Sequence, residues 1–224
     1  MKTAPLRFAA IISVAGFLAL GSCAPVGPGP TSPVRQSQKS GTLLNSERIR
    51  QKFGSYGIDI VRQSKQLRVS DLYSLEGGKK VMRTLAVVIY PQSIAPPLMA
   101  EHAEIKSGHS IGKVFKSHGW SIDKRNLYFG DIVASDNFAG VYSAMGGIHE
   151  VNLAVHIYQL SVGKNGAWFR YARIAEVHHP DYLGSDELRE IYGAPAGEPE
   201  FSHQDIQATL NTVVGVMAKF QPEN

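Results

Sequence analysis

The stretch VNLAVHIYQLSVGKNGAWFRYARIAEV, from Val151 to Val177, decides the fold. Val151, Leu153, Val155 and Ile157 alternate with Asn152, His156 and Tyr158, the period-two pattern of a strand with the first set facing in and the second facing out. Gly163-Lys164-Asn165-Gly166 then turns the chain into a second strand, Ala167 to Val177, and the pair reads as a β-hairpin. A second hairpin lies upstream. Leu67, Val69, Asp71 and Tyr73 alternate with Arg68, Ser70, Leu72 and Ser74, and Glu76-Gly77-Gly78-Lys79 supplies glycines that accept positive φ at the turn. Val81 to Tyr90 (VMRTLAVVIY) follows as a buried strand that stops at Pro91. Ile58 to Ser64 and Trp120 to Val133 add further extended segments.

Helical signals surround these strands. From Ser46, SERIRQKFGSYG carries a Ser cap, Glu in the first turn and Gly as a stop. Ile94 to Gly119 is helical in its spacing, with Pro96 and Pro97 in a first turn, a break at Gly108 and a restart from Ser110 to His118. Ser185 to Tyr192 and Ser202 to Phe220 read as helices, the last with Ser202-x-x-Asp205 as a capping box and a stripe of Ile206, Leu210, Val213, Val214 and Met217. Ser135 to Gly147 (SDNFAGVYSAMGG) is small and Gly-rich and reads as a loop or flap. No internal repeat is visible. Hairpins around a helical middle predict an α+β fold, an antiparallel sheet with flanking helices in a single domain over residues 42–224.

The ends of the chain say where it works. Lys2 and Arg7 precede an apolar run from Phe8 to Leu20, a signal-peptide core too short to span a bilayer as a helix of about 20 residues. Leu20-Gly21-Ser22-Cys23 resembles the lipobox of bacterial lipoproteins, in which the peptidase cuts before the cysteine and the thiol carries diacylglycerol. The resemblance implies a signal peptide over 1–22 and lipidation at Cys23, and Ala24 rather than Asp after it implies the outer membrane, facing the periplasm. Residues 23–41 hold that cysteine and a Pro/Gly/Ser-rich tether with too little apolar content to build a core.

Of 224 residues, 43% hydrophobic and 19% charged, the composition excludes a wholly disordered chain, a collagen-like one and a multi-span membrane protein. The net charge of +4 includes Lys2 and Arg7, and it gives no footprint for nucleic acid. One cysteine excludes an intramolecular disulfide and a Cys-pair zinc site.

No catalytic signature stands out: there is no phosphate-binding Gly-Lys-Ser/Thr loop, no His-Glu-x-x-His and no Gly-x-Ser-x-Gly, and nothing calls for a cofactor. His149-Glu150 with His156, and His178-His179, lack the spacing of a metal site, so none is expected. Arg83 shares its predicted strand face with Val81, Leu85, Val87 and Ile89, so a cation points at the core. A buried Arg needs an ion partner or an anionic ligand, and both readings stand. Glu176, on a face with Ala172 and Ile174, is the candidate partner.

Arg83-Thr84 after a hairpin, Ile111-Gly112 with Phe115 opening a helix, and Glu176 four residues before Pro180 resemble, over residues 66–183, the order of landmarks in chorismate lyases and the related ligand-sensing domains of some transcription regulators. The resemblance implies an antiparallel sheet flanked by helices with a buried small-anion site, implicates Arg83 and Glu176 in ligand binding or catalysis, and makes 134–149 an insertion. Three functions follow as expectations. The first is a non-enzymatic envelope lipoprotein, anchored in the lipid bilayer through acylated Cys23, whose domain binds a small anionic ligand or an envelope protein partner. The second is a lyase or hydrolase with Arg83 as anion clamp and Glu176 as acid/base. The third is a structural subunit of an envelope assembly with Ser135–Gly147 as its interface.

Overall fold

The computed structural model describes residues 43–193 and 202–222. The expected signal peptide, Cys23 and the expected tether lie outside the described residues. The elements run in chain order as α1 (Asn45–Phe53), β1 (Gly57–Gln63), β2 (Leu67–Glu76), β3 (Lys79–Ile89), α2 (Met99–Lys106), α3 (Ile111–Ser117), β4 (Ser121–Ile132), α4 (Ala139–Ala144), β5 (Leu153–Lys164), β6 (Ala167–His178), α5 (Ser185–Tyr192) and α6 (His203–Met217). The six strands form one antiparallel sheet in the order β1-β2-β3-β6-β5-β4, flanked by helices: an α+β fold, as the hairpins predict. Two three-stranded meanders therefore meet edge to edge at β3 and β6.

Both faces of this sheet are covered. One packs Val69, Leu85, Val87, Val155, Ile157 and Val177 against Val141 and Met145 beside α4 and Val213 and Met217 of α6. The other carries two clusters, one with Leu98, Ile105, Val114 and Phe115 around α2 and α3, and one with Ile49 of α1 and Leu188 and Tyr192 of α5. His156 and Tyr158, expected to face out, are thus 0% and 3% exposed. The alternation is real, but its second face meets a helical layer instead of water.

Two further expectations are corrected. Ser135–Gly147 is not a flap: Ser135 Oγ accepts from the Asn137 N–H, a 3-10 turn spans Asp136–Phe138, and α4 follows with Phe138, Val141, Tyr142 and Met145 buried. Gly140 marks close packing there, since a Cβ on it would sit 2.1 Å from the Phe220 carbonyl oxygen at the end of α6. The first helix starts one residue ahead of Ser46, because the Glu47 carboxylate reaches back to accept from the Leu44 N–H at 2.7 Å.

Candidate functional site

The face under α1, α2, α3 and α5 is not filled throughout. Between its two apolar clusters lies a cavity of ≈ 80 Å³, several times the roughly 10–15 Å³ that one water needs. Register explains its floor. Arg68, Val88, Ile174 and Tyr158 stand opposite one another across β2, β3, β6 and β5, and Ser70, Ala86, Glu176 and His156 form the next row. Side chains two apart on a strand share a face, so all of these point the same way. Lys124 of β4 and Leu160 of β5 extend the floor. Leu44, Asn45 and Ser46 at the start of α1, Tyr56, and Ser110 to Gly112 ahead of and within α3 line its other side and leave it partly open.

The polar groups here are few and deeply placed. Arg68 is 1% exposed; its Nε–H donates to Ser70 Oγ at 3.0 Å and Nη1 donates to the carbonyl oxygens of Ile105 at 2.7 Å and His109 at 2.9 Å. Among the described residues no carboxylate comes within ion-pair distance of it. Burial lowers its pKa from the ordinary guanidinium range, yet a guanidinium keeps its charge at any physiological pH. Glu176, 4% exposed, accepts from the Tyr158 hydroxyl on Oε1 at 3.1 Å, and its Oε2 has no partner. Burial first, then the Glu176 charge, raises the Tyr158 hydroxyl well above its usual range, so it stays a neutral donor. Burial likewise pushes Tyr56 up to about 12, against a hydrogen bond with Ser110 that pulls it down. Lys124 lies 4.6 Å from the centroid of the Tyr158 ring.

Arg83 is elsewhere. Leu72 pairs with Thr84 and Tyr73 with Met82, which leaves Arg83 as the extra residue of a β-bulge and removes it from the predicted face. Its Nε–H donates to Ser74 Oγ at 2.8 Å, its Nη2 is ion-paired with Glu76, and its guanidinium carbon lies 3.8 Å from the centroid of Phe53 in α1. It neither pairs with Glu176 nor lines the cavity. Of the two sequence candidates, then, Glu176 stands in the cavity and Arg83 does not. Arg68, Lys124, Tyr56 and Tyr158 were not singled out. Arg68 carried a signal, a charged residue within an alternating strand, but the β3–β6 pairing that brings it near Glu176 leaves no local mark.

The histidines are structural donors and acceptors. His179 Nε2 faces the Met145 carbonyl oxygen at 3.0 Å and its Nδ1 accepts from the Asp181 N–H at 2.9 Å. Burial holds His156 down at about 2 and His178 at about 4, both neutral near pH 7. Among the described residues no group of three His, Cys, Asp or Glu side chains is placed to hold a metal ion.

The arrangement therefore offers a partly open, mostly apolar cleft with a buried guanidinium, a second cation and one carboxylate with a spare oxygen. No protein-family model matches the chain, and no curated protein matches it at a significant level.

Proposed function

We propose that the chain is an envelope lipoprotein, anchored through acylated Cys23, whose domain binds a small carboxylic acid in the cavity without transforming it. One observation carries this reading: the buried Arg68 guanidinium borders an apolar cavity, and no described carboxylate neutralises it. A charge so placed costs free energy unless an anion meets it. Arg68 spends Nε and Nη1 on Ser70 and on backbone carbonyls, which locks its orientation for a ligand. Val88, Leu160 and Ile174 then supply apolar contact for the body of such an acid.

The enzymatic alternative has less support, because its clamp, Arg83, is engaged by Glu76 and Ser74 outside the cavity. The assembly alternative loses its interface, because Phe138, Val141 and Met145 belong to the core.

Calorimetric titration of 3-phenylpropionate into the full-length chain in detergent tests the ligand class, with 2-phenylethylammonium as the oppositely charged control. Saturable binding of the acid alone is expected. Equal binding of the two, or of neither, would remove the carboxylate reading.

A further inference from the structure

The positive charge of this chain is gathered in one place. Arg48, Arg50 and Lys52 of α1 and Lys113 and Lys116 of α3 stand against a single acid, Glu47. Those six side chains sum to +4, the formal net charge of all 224 residues, so everything else in the chain balances to zero. Arg50, Lys52, Lys113 and Lys116 are exposed, and Arg48 is half-buried with its guanidinium carbon 5.8 Å from the centroid of Tyr192.

The two helices form one continuous surface. Lys116 Nζ donates to Glu47 Oε1 at 3.3 Å between them, and a Cβ on Gly112 of α3 would meet the Leu44 side chain at 3.0 Å. Glu47 Oε2 accepts from the Leu44 N–H at 2.7 Å, so the one acid of the strip is spent within it. Among the described residues Arg50 and Lys113 make no ion pair. On the other side of α1, α5 carries Asp186, Glu187 and Glu190 against Arg189, which bounds the strip with the opposite charge.

The chain enters the domain at the same place. Leu43, 42% exposed, and Leu44 lead directly into α1, and residues 24–43 are all that separate Cys23 from Leu44. That stretch adds Arg35 and Lys39 and contains no Asp or Glu.

Each Lys or Arg brought within a Debye length of an anionic lipid surface strengthens association roughly fivefold, while a neutral surface offers such a strip nothing. An apolar side chain beside the cations adds contact at the boundary between headgroups and acyl chains. We propose that α1 and α3 form a docking surface for a bilayer that carries anionic headgroups, with Arg50, Lys52, Lys113 and Lys116 meeting the phosphates and Leu43 the acyl boundary. The proposal rests on the reading of Cys23 as an anchor, which delivers this end of the domain to a bilayer. Leu44 to Ser46 and Ser110 to Gly112 also line the partly open side of the cleft, so the docked lipid surface borders it.

The test mixes the full-length chain into vesicles of phosphatidylcholine alone and of equal parts phosphatidylcholine and phosphatidylglycerol. Flotation reports attachment, and mass spectrometry follows acetylation of each lysine by a neutral ester. Lys52, Lys113 and Lys116 should react about fivefold slower on the anionic vesicles. Lys219, beyond α6 on the other face of the sheet, should react equally on both. In ~1 M salt, where the Debye length falls to about 3 Å, the difference should vanish. Arg50→Glu with Lys113→Glu should remove the protection of Lys52 and Lys116. Flotation with both vesicles but equal labelling, or slowing that includes Lys219 or survives the charge reversal, overturns the docking surface and leaves the anchor standing. Flotation with the anionic vesicles alone, with Lys52, Lys113 and Lys116 protected, keeps the surface and refutes the anchor. Flotation with neither overturns both.

Discussion

The Arg83 guanidinium carbon lies 3.8 Å from the centroid of the Phe53 ring, which ties the bulge in β3 to helix α1. Stacking of this kind contributes about 0.5–2 kcal/mol, and Ser74 and the half-exposed Glu76 add a hydrogen bond and an ion pair. All of these contacts are internal, so Arg83 acts on stability and not on ligand. Arg83→Ala should lower the unfolding free energy by about 2–4 kcal/mol in urea titration. Affinity for 3-phenylpropionate should change less than twofold. A tenfold loss of affinity in a variant that melts normally would return Arg83 to the site.

Tyr158 and Glu176 give a prediction that separates their pairing from mere packing. Among the described residues the hydroxyl is the one donor to Glu176, at 3.1 Å, and Tyr158→Phe leaves both carboxylate oxygens unpaired. The substitution should cost about 1–3 kcal/mol. In Glu176→Leu, where no acceptor remains, the same change should cost well under 1 kcal/mol, so that a double-mutant cycle yields a clear coupling. Equal costs in both backgrounds would mean that the hydroxyl matters only through its ring.

The elements of this fold were legible because their signals are local. The Gly77-Gly78 turn, the Ser202 cap and the break at Gly108 each act within a few residues, and every element but α4, which stands where a loop was expected, falls close to its expected place. What was not legible depends on pairing. Arg83 left its predicted face because one unpaired residue in β3 shifts every side chain beyond it, and nothing in VMRTLAVVIY announces a bulge. Arg68 shares the cavity floor with Glu176 only through the β3–β6 pairing, between residues some ninety apart in sequence. The two matching meanders likewise form a repeat of topology with no repeat of residues.

The proposed lipidation of Cys23 makes a prediction independent of the fold. Each buried acyl CH₂ contributes about 0.8 kcal/mol, so two or three chains anchor durably where one does not. The native chain should incorporate labelled palmitate and pellet with membranes. Cys23→Ser should take up no label and keep residues 1–22. A variant that is still cut and still pellets would refute the anchor.

Buried titrating groups of opposite sense should shape the response to acid. His178 and His156 are held at about 4 and about 2 by burial, against an ordinary 6.5, so below pH 6.5 the unfolded chain binds protons that the folded one refuses. Stability then falls with pH, by about 1.4 kcal/mol per pH unit for each histidine, until about pH 4, below which only His156 still contributes. Asp71 opposes this. Burial first, and then Asp59 directly across the β1–β2 pair, raises it to about 7 from an ordinary 3.8, while Lys80 pulls it down. Its proton favours the folded state at low pH, and that contribution is lost as pH rises from 3.8 through 7. Between pH 4.5 and 6 the carboxyl cancels about one histidine, which leaves a net slope near 1.4 kcal/mol per pH unit. Asp71→Asn removes the cancellation: its slope should approach about 2.7 kcal/mol per pH unit, and it should be more stable than the native chain at pH 8. Urea midpoints at pH 4.5, 6 and 8 measure both effects. An unchanged slope would show that Asp71 is ionised throughout and that its carboxylate is held by Lys80 after all.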